Sequence, residues 1–209
     1  MILIGRDLSP FVRRTAIVLA LSGLAFERRK LASSKPEDLV EIKKLNPLGR
    51  VPALILADGE ALIDSNAIID YALETSESEV ALCPADGPAR RQVLRTSAFA
   101  VGVMEKGVAS SYETLTRPAA KVHQPWLDHI LNQITEGLTV LEKLAEERVF
   151  KLDPDPNLGD VNSVVAHDFI TLIRPELVRA AAPHALPALS RHFNKLPAFK
   201  NNQWQPNKS

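Results

Sequence analysis

The sequence predicts an α/β domain followed by an all-α domain. Three observations carry that division. Strand-like and helix-like segments alternate as β-α-β-α-β-β-α within about the first 75 residues. A polar, turn-rich stretch comes next. Beyond it, the long segments carry apolar residues at three- and four-residue spacing, the mark of helices packed on one face. The first domain is therefore expected over residues 1–77, a linker over 78–88 and the helical domain over 89–209.

The first element is Met1 to Gly5, a short run rich in branched side chains that reads as a buried strand. Ser9-Pro10 follows, a helix cap with proline at the first position, and Gly23 supplies the stop. Phe26 to Leu31 reads as a more exposed strand, because its middle is Glu27-Arg28-Arg29-Lys30. Ser34 to Leu45 reads as a helix with Leu39, Ile42 and Leu45 on one face. Asn46-Pro47-Leu48-Gly49 is turn chemistry, and Val51 to Leu56 reads as a strand after it. Asp58-Gly59 makes a two-residue hairpin turn into Ala61-Leu62-Ile63. Asp64-Ser65 then caps a helix bearing Ile68, Ile69, Ala72 and Leu73.

Cys83-Pro84-Ala85-Asp86-Gly87-Pro88 marks the linker. Helices are expected over Arg90 to Val108, with Val93, Leu94, Ser97, Val101, Met104 and Val108 inward, and over Pro125 to Glu147, with Trp126 in the core stripe. Asn157 to Ile173 is a third. Shorter helices fall near Pro175 to Ala182 and Pro187 to Leu196, and Asn201 to Ser209 reads as a loose tail.

Composition narrows the function. Twenty-five Lys and Arg balance 25 Asp and Glu in 209 residues, so no basic surface is on offer to nucleic acid. No apolar run approaches a membrane span, and Arg6-Asp7 interrupts the N-terminal one, so no signal peptide is read there and a cytoplasmic location is expected. The single cysteine, Cys83, excludes an internal disulfide framework or a Cys-x-x-Cys pair and is read as incidental. The five histidines show no metal-ligand spacing, so no metal is expected.

Three places in the first domain can carry chemistry. Ser9 sits between a buried strand and a helix N-terminus. Its hydroxyl can cap the helix, or it can donate to an anion such as a thiolate held there. Val51-Pro52 opens a strand after a turn. It is either an ordinary edge start or a cis bond that turns the Val51 backbone toward an extended peptide. Asp64-Ser65 is a plain cap or a reader of a zwitterion, with the carboxylate meeting an ammonium and the hydroxyl and helix N–H groups meeting an α-carboxylate. Together they describe a site for a small thiol peptide with an amino-acid end.

At these residues the chain resembles the glutathione S-transferase superfamily. The resemblance rests on Ser9-Pro10-Phe11-Val12-Arg13-Arg14, on Asn46 through Leu54 with Arg50-Val51-Pro52 inside it, on Leu62 through Ile68, and on Asn157-Leu158-Gly159-Asp160-Val161 in the helical part. It implies a thioredoxin-like first domain, a cis Pro52, glutathione as co-substrate, a helical domain lining the acceptor pocket, and a homodimer engaged in detoxification. By position it implies that Ser9 is the catalytic hydroxyl at the glutathione sulfur, with Phe11 beside the site. Arg50 would then lie near the glycyl carboxylate, Val51 would pair with the cysteinyl backbone, and Asp64 and Ser65 would hold the γ-glutamyl end. Met104, Val108, Ser111, Tyr112 and Leu115 fall where acceptor-pocket residues are placed, and Arg90 and Arg91 where a partner subunit is met. With serine in place of cysteine at the first helix, thiol-reductase chemistry has no nucleophile, and conjugation to a small electrophile is expected. The alternative is a non-catalytic member that binds or regulates. Asp160 is assigned to a helix-capping box, a structural role.

Overall fold

A computed structural model describes residues 1–79, 81–151 and 155–204. The chain divides into two compact units: Met1–Leu82 together with the segment from Lys195, and Cys83–Asn194.

The first unit holds a four-stranded sheet. Its strands are β1 (Ile2–Ile4), β2 (Glu27–Arg29), β3 (Ala53–Ile55) and β4 (Ala61–Ile63), in the order β2-β1-β3-β4. β1 runs parallel to β2, pairing Leu3 with Arg28, and antiparallel to β3, pairing Leu3 with Leu54. β3 and β4 form the antiparallel hairpin expected around Asp58-Gly59. The central strands are the apolar ones: Leu3, Ile4, Ala53 and Leu54 are fully buried. β2 alternates exposed and half-buried residues, as an edge strand does. Its middle residue, Arg28, spans to Asp7 Oδ1 at 2.8 Å and to Asn202 Oδ1 at 3.0 Å.

Helix α1 (Pro10–Leu21), α2 (Pro36–Leu45) and α3 (Ser65–Glu74) complete the βαβαββα order. α2 starts two residues later than the Ser34 start expected, because the residue before a proline is pushed out of helical geometry. β3 starts at Ala53 rather than Val51, since Pro52 has no N–H to give to a ladder.

The second unit is helical: α4 (Gly87–Ser111), α5 (Gln124–Lys151), α6 (Leu158–Ile173), α7 (Pro175–Ala181) and α8 (Ala185–Phe193). α4 begins three residues before Arg90 and runs past Val108 into a π-helical stretch, Tyr112–Thr116. Its inward stripe also differs from the one expected. Leu94 is 41% exposed, and the buried residues are Ser97, Ala100, Val103, Met104, Gly107 and Ser110. Small residues let α6 come close: a Cβ at Gly107 would lie 2.7 Å from Ile170 Cδ1. Trp126 is likewise not in the core. It is 49% exposed and stacks on His129 at 5.5 Å, while Leu127 takes the inward position that leads into Ile130, Ile134, Leu138 and Leu141.

The helical domain was expected to run to the end of the chain. Instead α9 (Pro197–Lys200) packs on α1 in the first unit, with Phe199 fully buried and Asn202 held by Arg28 and by Ala198 O. Apolar burial drives that return. Of the tail expected to be loose, residues 205–209 lie outside the described residues. No helix among the described residues is long and apolar enough to cross a membrane.

Candidate functional site

The site residues of the first unit sit on three short connections: β1 to α1, α2 to β3, and β4 to α3. Ser9 is the N-cap of α1, with extended backbone, and Pro10 holds the first helical position. The half-buried Ser9 hydroxyl accepts from Val12 N at 3.4 Å, the long edge of hydrogen-bond range. It therefore keeps its own proton to donate. Phe11, one residue into the helix, is half-buried.

The connection before β3 is shaped by Asn46, only 3% exposed. Its Oδ1 accepts from Leu48 N at 3.1 Å and its Nδ2 donates to Arg50 O at 2.9 Å. Gly49 adopts a positive φ of 66° inside this turn. The Arg50 side chain lies exposed, Val51 is half-buried, and the Val51–Pro52 bond is cis. Gly5 brings this connection up to α1. A Cβ there would collide with Val12 Cγ2 and lie 3.1 Å from Val51 Cβ, so only glycine lets strand end, helix start and Val51 meet.

The third connection is unusual in its backbone. Asp64, the N-cap of α3, has φ of 71°, a left-handed conformation for a residue with a side chain. Strain of this kind gathers at binding sites. The Asp64 side chain is exposed, and its Oδ1 accepts from Asn66 N at 2.8 Å. Beside it Ser65 is 4% exposed, its Oγ accepting from Arg14 Nη1 at 2.8 Å. The same nitrogen donates to Asn66 Oδ1 at 2.9 Å.

Arg14 belongs to the Ser9–Arg14 motif, and its sequence position alone points to no role. It is 1% exposed, at the top of the fully buried side chains by volume. Burial lowers its pKa to about 10, against the raising influence of Asp64. It stays protonated at neutral pH, so α1 carries a full positive charge beneath the start of α3. The one signal available in the sequence was an Arg-Arg pair within a helix, between Val12 on one side and Thr15-Ala16-Ile17 on the other.

In the second unit the positions read as acceptor-pocket residues divide. Met104 is fully buried, Val108 and Ser111 are half-buried, and Tyr112 and Leu115 are exposed at 55% and 84%. Arg174 anchors the turn they occupy, donating to Ser110 Oγ, Ser110 O and Thr114 Oγ1 at 2.8–3.1 Å. Glu113, 5% exposed, ties both ends of the following loop by accepting from Arg117 Nε at 2.9 Å and His123 N at 3.2 Å. The His123 N–H and the Arg117 guanidinium outweigh burial and hold its carboxyl below the ordinary range. Cys83 accepts a long contact of 3.5 Å from Arg90 Nη1, and burial pushes its thiol up.

A small mixed sheet with a cis-proline connection leading into β3 and an acid–serine pair at the start of α3 defines a thioredoxin-like domain. The comparisons give that class a family. Residues 8–75 match the family described as Glutathione S-transferase, N-terminal domain. The chain is 33% identical over 152 residues to the GST-like protein YibF of Escherichia coli, covering 72% of this chain and 73% of that one. It is 33% identical over 162 residues to the maleylacetoacetate isomerase of Pseudomonas aeruginosa, covering 71% of each. Among solved structures, a glutathione S-transferase from Methylobacillus flagellatus with glutathione bound superposes with a TM-score of 0.86 at 26% identity, covering 97% of this chain and 98% of that one. The chain belongs to the glutathione S-transferase family, and glutathione is its co-substrate.

Proposed function

We propose that this glutathione transferase binds glutathione along the three connections of its first unit and directs the sulfur to Ser9. Asp64 receives the γ-glutamyl ammonium through its exposed carboxylate, and Ser65 with the first turn of α3 receives the α-carboxylate. Val51 pairs with the cysteinyl backbone and Arg50 faces the glycyl carboxylate. Phe11 borders the sulfur. The Ser9 hydroxyl and the N-terminus of α1 stabilise the thiolate, which then attacks an electrophilic carbon of a small second molecule. The thiol proton leaves to water and the new bond is carbon to sulfur; a leaving group such as chloride departs from that carbon with its electron pair, or, in an addition, the electron pair of the acceptor's double bond moves onto the acceptor and takes up a proton from water.

The observation that supports this most is the strained, exposed Asp64 beside Ser65, a polar pair whose shape serves a ligand better than it serves the helix. The reading extends to a cytoplasmic homodimer acting on toxic or metabolic electrophiles, as the family resemblance implies. Proteins named for isomerisation are among those it resembles, including the maleylacetoacetate isomerase already described and a probable one of Caenorhabditis elegans. Isomerisation begins from the same bound thiolate, so an unsaturated dicarbonyl acid belongs in the first panel of acceptors.

Calorimetric titration with reduced glutathione tests the site. Saturable uptake below millimolar concentration is expected, and its absence overturns the reading. Conjugation to an activated aryl chloride, isomerisation of an unsaturated dicarbonyl acid and light scattering of the purified protein test the chemistry and the dimer.

A further inference from the structure

We propose that Arg14 is a positioning residue of the amino-acid subsite, setting Ser65 as a hydrogen-bond donor to the ligand's α-carboxylate. The inference rests on the glutathione reading above and adds a residue that the reading did not contain.

A buried arginine is an expensive way to join two helices. Where α1 packs on α3, apolar side chains of similar volume would do so at lower cost. The charge must therefore serve something beyond packing. Its reach is specific: one guanidinium nitrogen, Nη1, meets both Ser65 Oγ and Asn66 Oδ1, residues 51 and 52 positions later in the chain. Both are acceptors, and both belong to the first turn of α3.

The consequence is chemical polarity. A serine hydroxyl has one proton and two lone pairs. With a cation bound to its oxygen, Ser65 is polarised, and its proton is the part left to offer a ligand. Asp64 has the opposite polarity. One of its oxygens takes Asn66 N, and its carboxylate is exposed. The two neighbours thus present a donor and an acceptor side by side, the arrangement that matches a carboxylate and an ammonium on one carbon. If Arg14 were absent, the Ser65 hydroxyl could turn its proton to Asp64, and its lone pairs would face the incoming carboxylate. Arg14 also offsets the Asp64 charge, which would otherwise repel that carboxylate.

The test pairs a protein variant with a change in the ligand. Glutathione is compared with an analogue whose γ-glutamyl α-carboxylate is a primary amide, by calorimetry. The wild-type protein is expected to prefer glutathione by at least about tenfold. In Arg14→Met that ratio is expected to fall to near one, while Arg14→Lys keeps the charge but not the two-acceptor reach and retains part of it. Ser65→Ala is expected to abolish the ratio with Arg14 in place, and Arg14→Met/Ser65→Ala to bind glutathione no more weakly than Arg14→Met alone. At saturating glutathione, kcat in Arg14→Met stays within about threefold of wild type while the glutathione KM rises, because the loss is in binding. A purely structural role for Arg14 would weaken both ligands equally and leave the ratio intact; that result overturns the proposal. If Arg14→Met does not fold, Arg14→Lys and Ser65→Ala carry the same comparison, and an undiminished ratio in both overturns it. Failure of the wild-type protein to take up glutathione overturns the site reading itself, and is told apart from the other outcomes because no variant is involved.

Discussion

Helices α6 and α3 both start with an Asx residue at the N-cap, yet they use it in opposite ways. At α6, Asn157 Oδ1 accepts from Asp160 N at 3.1 Å and Asp160 Oδ2 accepts from Asn157 N at 2.9 Å. Asp160 is 3% exposed and is gripped by Arg148 Nε and Nη2 at 2.6–3.0 Å. Asn157, Asp160 and Arg148 thus satisfy one another at that helix tip. At α3 the cap residue is left-handed and exposed, and the buried arginine stops one residue short of it, on Ser65 and Asn66. α8 repeats the inward pattern: Glu142 reaches across from α5 and accepts from His184 N, Ala185 N and Leu186 N at 2.6–2.9 Å. α1 resembles α3, its cap hydroxyl engaged only at 3.4 Å. At α6 and α8 the second unit spends its helix-tip charge on its own stability, although Asp86 at the start of α4 caps nothing, and at α1 and α3 the first unit keeps some in reserve. Reserve capacity at a helix tip is where an anionic ligand gains most.

The contrast can be broken by experiment. The largest effect is expected at Ser9, where Ser9→Ala should lower kcat by about 100-fold while changing glutathione affinity far less; unchanged turnover would move the thiolate to backbone N–H groups alone. Next come matched substitutions at the two acids. Asp160→Asn keeps the shape of the cap but removes the charge facing Arg148, and should lower the unfolding free energy by about 2 kcal/mol with little change in glutathione binding per folded molecule. Asp64→Asn tolerates the left-handed backbone and still caps, so its melting temperature should stay within about 4 °C of wild type while glutathione affinity falls about tenfold. Denaturant titration and calorimetry on the same two proteins decide it. If both lose stability and neither loses affinity, the distinction between inward and reserved caps is wrong.

The smallest effect concerns pH. Burial alone would raise the Glu142 carboxyl, but the Leu186, Ala185 and His184 N–H groups together hold it below its ordinary value. A carboxyl depressed in the folded state contributes stability that is complete above its unfolded value, about 4.3, and is lost as pH falls through the folded value. Glu142→Gln should therefore flatten the acid limb of a stability–pH curve. A limb of unchanged slope would remove Glu142 from the list of acid-sensitive caps.

Much of the first unit was legible from the chain. β-branched runs, Pro and Gly at turns and Asx or Ser at helix starts each act locally, so the strand and helix order followed from short-range chemistry. The cap of α3 at Asp64 was legible for the same reason. What lies across the fold was not. The Arg14 side chain meets partners more than 50 residues away, and only the packing of α1 on α3 brings them together. In the second unit the helical period set the elements but not which stripe faced inward. Gly107 and Ala100 carry little hydrophobicity in a sequence window, yet they are buried, while Leu94 and Trp126 are largely outside. Close helix contact selects small residues, and a hydrophobic count overlooks them. The return of α9 to the first unit had no local signal at all.

That return has a consequence for how the molecule is made. Phe199 and Asn202 seat on α1 and β2, elements translated long before them, and a full helical unit is synthesised in between. On the ribosome the first unit cannot receive Phe199 and Asn202 until the helical unit has been synthesised. The first half to be translated is thus the last to be finished.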